Sequence, residues 1–340
     1  MAERRTPDGA APDGETPAGG GRRSLPPEKV RRRATLRQRA LARAIAVASG
    51  ILSRLPPGPM QRLAHLAGVG WYLAAPAQRD LARANLRRVC TWLDEQGTAS
   101  PRVRRAAHDP AALERLLRDA FGHRARYYLE VAMNARFDPP YLAAHMALAD
   151  PELAERVLGQ PGPMIVIGLH MGALELPAQY ITVTRGRHAV APMETLPNAP
   201  LQAYLERSRS RTGVEIVPTS RAREALERAI ERGDIVGLIA DRDVSGRGVP
   251  VTLFGAPARL PVGPGVLAVT SGVPVLAAAA IRVGYGEYRG TVIPLEVPAT
   301  GSRHERARQF LESVARAFER LIAEAPEQWW SIFQPIWGQP

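Results

Sequence analysis

The sequence predicts an α/β fold: a largely parallel sheet flanked by helices and preceded by N-terminal helices, one of them amphipathic. The main observation is that from Gly162 onward short β-branched runs alternate with helical patterns: "MIVIGLH", "HAVAPME", "VEIVP", "DIVGLIAD", "VPVLAAAAIRV" and "RGTVIPLEVP". Strands separated by helices pair in parallel, because each crossover returns the chain to the same end of the sheet. A second observation is that apolar residues before Gly162 recur at helical spacing instead. A third is that 340 residues with 45% hydrophobic content bury a substantial core.

Residues 1–28 mix Pro, Gly, Asp and Arg with almost no large apolar groups, so ordering them has no compensating burial, and a disordered tail is expected. They also lack the apolar core of a secretory signal. Residues 29–57 read as one basic amphipathic helix ending at Pro56-Pro57, where proline forbids continuation. Two readings of it stand: a helix docked on the core with a solvated arginine face, or an interfacial helix whose Arg31, Arg32, Arg33, Arg37 and Arg39 meet anionic lipid.

Residues 58–340 form the α/β domain. Its first part holds the helices "MQRLAHLAGVGWYLAAP" and "AQRDLARANLRRVCTWLDEQ", then a polar connection from about Thr98 to Pro110. The helix "PAALERLLRDAFGHRARYYLEVAMNA" follows, with Leu113, Leu116, Leu117, Ala120 and Phe121 on one face. Between the later strands lie "PNAPLQAYLERSRSRTG", "SRAREALERAIERGD" and "PVGPGVLAVTSG"; "SRHERARQFLESVARAFERLIAEAP" closes the helical series. The chain then ends in "EQWWSIFQPIWGQP", whose Trp329, Trp330, Phe333 and Trp337 suit either core packing or a membrane interface.

The formal net charge of +12 favours anionic partners, whether nucleic acid, phospholipid or a phosphorylated cofactor. The only cysteine, Cys90, excludes an intrachain disulfide and any multi-cysteine zinc site. No stretch reaches the roughly 18 uninterrupted apolar residues of a spanning helix.

"MIVIGLH" places His170 at a strand end, where α/β folds gather catalytic groups, and Glu175 follows five residues later. On a continuous helix the two would stand about 140° apart. They meet only if His170 lies on the turn before the helix. An imidazole held by a carboxylate on one nitrogen is a general base toward a hydroxyl at the other; the plainer reading is a structural histidine and a solvated glutamate. No nucleophilic Ser or Cys lies nearby in sequence, which favours direct attack by an activated acceptor. Asp241, Arg242 and Asp243 occupy a second strand end, followed by Gly246, Gly248 and Gly255 in what reads as an adaptable loop. A DxD metal site is one reading, but Arg242 and Arg247 make the loop better suited to an anion. Arg259, before a helix opening near Pro264, is a further candidate for a phosphate or an oxyanion, beside an ordinary helix start.

In this order "RANLRRV", "ARYYLE", "HMGALE", "ADRDVSGRGVPVTLFG" and "PEQWW" resemble the lysophospholipid acyltransferase superfamily, in the branch of the late lipid A and phosphatidylinositol mannoside acyltransferases. The resemblance covers roughly Asp80 to Trp337. It implies transfer of a fatty acyl group from acyl-CoA or an acyl carrier protein to a hydroxyl of a membrane glycolipid or phospholipid, with no further cofactor and no metal. His170 is then the general base and Glu175 its orienting partner, while Glu194 and the Asp241, Arg242, Asp243 cluster line the cleft. It also implies a peripheral place at the cytoplasmic face of the plasma membrane, with membrane lipids as partners. One departure is Pro250, where the mannoside branch usually carries an acidic residue, and this weakens an assignment to mannoside acylation. Two competing classes stay open: a lipid ester or thioester hydrolase using the same pair, and a basic protein that binds membrane or nucleic acid without catalysis. Nucleic acid is the disfavoured partner, since the arginines are scattered and no recognised motif for it occurs.

Overall fold

The computed structural model describes residues 35–243 and 246–337. The tail at 1–28 and the first arginines of the basic segment, Arg31 to Arg33, lie outside the described residues. The chain opens with α1 (Leu36–Leu52), α2 (Pro57–Ala74), α3 (Pro76–Glu95), α4 (Pro101–His108), α5 (Pro110–Ala132) and α6 (Pro139–His145). Then follow β1 (Met146–Leu148), α7 (Pro151–Leu158), β2 (Met164–Gly168), α8 (Leu176–Arg185), β3 (Ala189–Met193), α9 (Ala199–Ser210), β4 (Val214–Pro218), α10 (Ala222–Glu231) and β5 (Ile235–Ile239). The chain continues through β6 (Val249–Leu253), β7 (Ala256–Leu260), α11 (Val262–Ser271), β8 (Val275–Arg282), β9 (Tyr288–Leu295) and α12 (Arg303–Glu324).

Helices α2 to α7 all open on proline, whose missing N–H is one a first helical turn leaves unpaired anyway. The segment read as a polar connection from Thr98 to Pro110 contains α4. Ser100 caps it through Val103 N–H, and Asp109 ends it while capping α5. Only Val103 and Ala106 are buried along α4, too few to produce a readable period. The basic helix ends at Leu52, four residues before the proline pair, and Pro57 begins α2 instead of merely ending α1.

Seven strands form one sheet in the order β1-β9-β8-β2-β5-β3-β4, parallel except at the β8–β9 pair. The expected parallel α/β architecture is therefore present, with a short extra edge strand, β1, too brief to read from sequence. One sheet face carries Ile165, Ile167, Val236 and Leu238 against α3, α5, α11 and α12. From α12, Phe310, Leu311, Val314, Phe318, Leu321 and Ile322 are buried there, each contributing about 1.5–3 kcal/mol relative to exposure. The opposite face carries Met164, Val166, Ile235, Leu276 and Ala278, packed with α7 and α8.

The loop expected after Asp243 is largely a hairpin, β6–β7, joined by Phe254 and Gly255 with φ of 49° and 69°. Positive φ at both turn residues matches the twist of the flanking strands. The aromatic ring at the strained position is held by burial against Trp92, Trp329 and Trp337. Trp329, Phe333 and Trp337 are all buried, so these C-terminal aromatics belong to the core.

Candidate active site

Strand register brings two distant residues together. Strands β2 and β5 are parallel neighbours with Gly168 opposite Ile239, so two residues further on His170 and Asp241 emerge side by side at the carboxyl ends. Asp241 Oδ1 lies 2.7 Å from His170 Nδ1, and the His170 backbone N–H donates to Oδ2 at 3.1 Å. Oδ2 also accepts from Trp329 Nε1 at 2.8 Å and Ser331 Oγ at 2.7 Å.

Asp241 is buried to 1% exposure, which by itself would push its carboxyl up. The charge and hydrogen bond of His170, with the bonds from Ser331 and Trp329, outweigh that and hold it at about 2. An ionised carboxylate only accepts, so Nδ1 is the donor and the lone pair of the neutral ring sits on Nε2. Nε2 has no hydrogen bond among the described residues, and the ring lines a cleft. The Trp330 indole stands edge-on to the imidazole at 4.6 Å and packs on Tyr127 at 4.5 Å.

The carboxylate on His170 is thus Asp241, where the sequence pointed to Glu175. Residues 171–175 do turn before α8, as a meeting of the two would require. But Glu175 is bidentate with Arg209 of α9, Nε to Oε2 being 3.0 Å, and this occupies both its oxygens. Glu175, Glu194 and Arg242 all line the same cleft as His170. Arg242 Nε is buried with no hydrogen-bond partner among the described residues. Asp243 is not a cleft-lining residue, and its carboxylate accepts from Gly248 N–H at the base of the hairpin. Arg259 is exposed on β7 and lies outside the cleft lining, opposite the equally exposed Pro250. The departure at Pro250 therefore leaves the cleft untouched. Among the described residues no three His, Cys, Asp or Glu side chains cluster as metal ligands.

Sequence reasoning did not assign site positions to Trp329, Ser331, Arg209 or Tyr127. For Trp329 a signal existed, since a buried indole needs an acceptor for its N–H, but nothing in the sequence says which carboxylate supplies it.

The cleft encloses about 470 Å³, within the ~300–1,000 Å³ usual for small-molecule sites. Its floor is the sheet face at Gly168, Ala189, Ala191, Gly237 and Ala278, where small side chains leave room above the strands. Helices α8 and α9 supply the facing wall through Ile181 and Leu205. Polar groups gather at the carboxyl ends of the strands and apolar ones lie along the sheet. The loop after His170 is braced from below: Arg282 donates to Gly172 O at 2.9 Å and to the buried Glu130 carboxylate at 2.7 Å. Gly172 has φ of 53°, and a Cβ there would fall 2.1 Å from the Ala280 carbonyl oxygen, so no side chain fits.

Over residues 32–337 the sequence matches the family described as bacterial lipid A biosynthesis acyltransferase, and the chain belongs to that family. Among characterised relatives it is similar to the phosphatidylinositol mannoside acyltransferase of Mycobacterium tuberculosis strain H37Rv, 27% identical over 173 residues, which is 49% of this chain and 52% of the relative. The same protein of strain CDC 1551 gives the same identity and coverage. The chain thus spans about half the length of the curated relatives it matches.

Proposed function

We propose that this protein is an O-acyltransferase that moves a fatty acyl group from acyl-CoA or an acyl carrier protein to a hydroxyl of a membrane lipid. The observation that carries this reading is the His170–Asp241 pair, with Nε2 open, at the polar end of an apolar groove. Family membership supports the same class of chemistry.

In this mechanism the acyl chain lies along the sheet between Ala278, Gly237 and α8, which leaves the thioester carbonyl near His170. Nε2 takes the acceptor hydroxyl proton as the oxygen attacks the carbonyl carbon. The tetrahedral intermediate collapses with cleavage of the C–S bond, and the imidazolium returns the proton to the departing thiolate. Asp241 holds the tautomer and stabilises the transient imidazolium without taking the proton. Arg242 and Glu194 meet the polar parts of donor and acceptor, and the Glu175–Arg209 pair fixes α9 over the groove.

The acceptor class calls for a surface that meets a bilayer, and α1 with α2 provides one. Leu36, Val47, Ile51, Leu63, Leu66 and Leu73 are each more than half exposed. From Ala34 to Arg79 the sequence contains six arginines and no acidic residue. Apolar contact plus attraction to anionic headgroups supports an interfacial position for these helices; among the described residues no helix is long and apolar enough to cross.

The test is an acyl-transfer assay with purified protein, radiolabelled palmitoyl-CoA and a bacterial polar lipid extract, run beside His170→Ala. A labelled lipid formed only by the unmutated protein is the expected result. Histidine-dependent release of free fatty acid without lipid labelling would overturn it in favour of a hydrolase.

A further inference from the structure

The four residues Gln328 to Ser331 touch three separate strand ends. The Gln328 side chain accepts from Arg282 N–H at 2.9 Å and donates to Arg282 O at 2.8 Å, which anchors the segment to the end of β8. Its backbone is laced to the loop after β2: Trp330 N–H donates to His170 O at 3.0 Å, and Gly172 N–H to Gln328 O at 3.0 Å. Met171 and Trp329 form a bridge between those bonds. The side chains of Trp329 and Ser331 then reach across to Asp241, which follows β5.

The consequence is geometric. His170 and Asp241 leave neighbouring strands, and beyond the last ladder bond, Ala240 N–H to Gly168 O at 3.1 Å, strand pairing no longer sets how the Asp241 carboxylate is turned. On Asp241, Oδ2 takes three donors, from Trp329, Ser331 and the His170 backbone, whereas Oδ1 faces the imidazole alone. Three donors converging on one oxygen leave the carboxylate one orientation, the one that presents Oδ1 to Nδ1. Trp329 is fully buried and Ser331 is 2% exposed, so water does not compete for these bonds.

We propose that the C-terminal segment 328–331 is a clamp on the catalytic pair, with Trp329 and Ser331 as positioning residues that set the Asp241 carboxylate and through it the tautomer of His170. The inference rests on His170 acting as general base. It gives a role in the reaction to a segment that sequence and burial otherwise present as core packing.

Ser331→Ala removes one donor without altering backbone or volume appreciably, and Ser331→Thr returns it. In the palmitoyl-CoA assay Ser331→Ala is expected to lower kcat by about ten-fold or more with KM little changed, as for loss of geometry at a reacting group. The acidic limb of its kcat/KM profile should move to lower pH by about half a unit or more, because a carboxylate turned away from Nδ1 stabilises the imidazolium less. Trp329→Phe should move that limb in the same direction, and Ser331→Thr should restore both rate and limb. In parallel, the two-bond ¹H–¹⁵N spectrum of the His170 ring reads the tautomer without any substrate. The Nδ1–H form should dominate in the unmutated protein and become mixed in Ser331→Ala. An unmoved acidic limb together with an unchanged tautomer in Ser331→Ala would overturn the clamp. An unmutated protein that transfers no acyl group, yet whose ring tautomer responds to Ser331→Ala, would sink the enzymatic reading and leave the clamp standing as an orienting device.

Discussion

Replacing Asp241 by Asn tests the site more sharply than removing it. The amide keeps one acceptor oxygen and gains an –NH₂ group. Three donors already point at the Oδ2 position, from Trp329 at 2.8 Å, Ser331 at 2.7 Å and His170 N at 3.1 Å. An –NH₂ placed there would meet three hydrogen atoms, so the amide must turn its oxygen to them and its nitrogen to the imidazole. Nδ1 then has to accept, the ring proton moves to Nε2, and the nitrogen facing the cleft ceases to be a base. The expected loss in kcat is about 10⁴-fold, as when a triad carboxylate becomes an amide and the wrong tautomer results. Stability should change far less. Each charge-assisted bond weakens by about 1 kcal/mol, and relief of the buried charge offsets part of this, leaving a net cost of about 1–2 kcal/mol. Asp241→Ala, by contrast, strands three buried donors at about 1–3 kcal/mol each. The assay is initial-rate acyl transfer beside a thermal melt of both variants. A folded Asp241→Asn protein retaining a tenth or more of the unmutated rate would refute the tautomer argument and return attention to Glu175.

Three further outcomes follow from the same geometry. Glu175→Gln breaks the bidentate bond to Arg209 and not the bond to His170, so it should cost about ten-fold in rate, well short of Asp241→Asn; equal losses in the two variants would contradict this ranking. Gly237→Val should shift preference toward shorter acyl donors while leaving the fold intact, because a Cβ at Gly237 meets only the Ala191 methyl, at 3.7 Å; competition between lauroyl-CoA and palmitoyl-CoA reads the change. The Asp241 carboxyl, at about 2 instead of its ordinary 3.8, is lowered in the folded state, so its stabilisation is fully present above the ordinary value and lost as pH falls from there toward 2. Denaturant unfolding should accordingly show the gap between the unmutated protein and Asp241→Asn closing between about pH 4 and pH 2, and a gap independent of pH would contradict the assignment.

The sequence by itself determined the fold class and the position of His170 at a strand end. Alternating β-branched runs and helices gave the parallel sheet because periodicity is a local property, and "MIVIGLH" put His170 at a strand end for the same reason. Local signals also misled. Glu175 is near His170 in sequence, so proximity along the chain favoured it; Arg259 stands exposed on the hairpin, outside the cleft. The alternation in "VPVTLFGAPARL" carried the hairpin, but the glycines around it read as loop. Only the tertiary structure decided the partner of the histidine. Asp241 is 71 residues away in sequence, and Trp329 and Ser331 are 88 and 90 residues beyond Asp241. Their meeting depends on strand order β2-β5 and on where the chain returns after α12. No local pattern encodes either, because pairing between strands is settled by the burial of whole faces against helices from opposite ends of the chain.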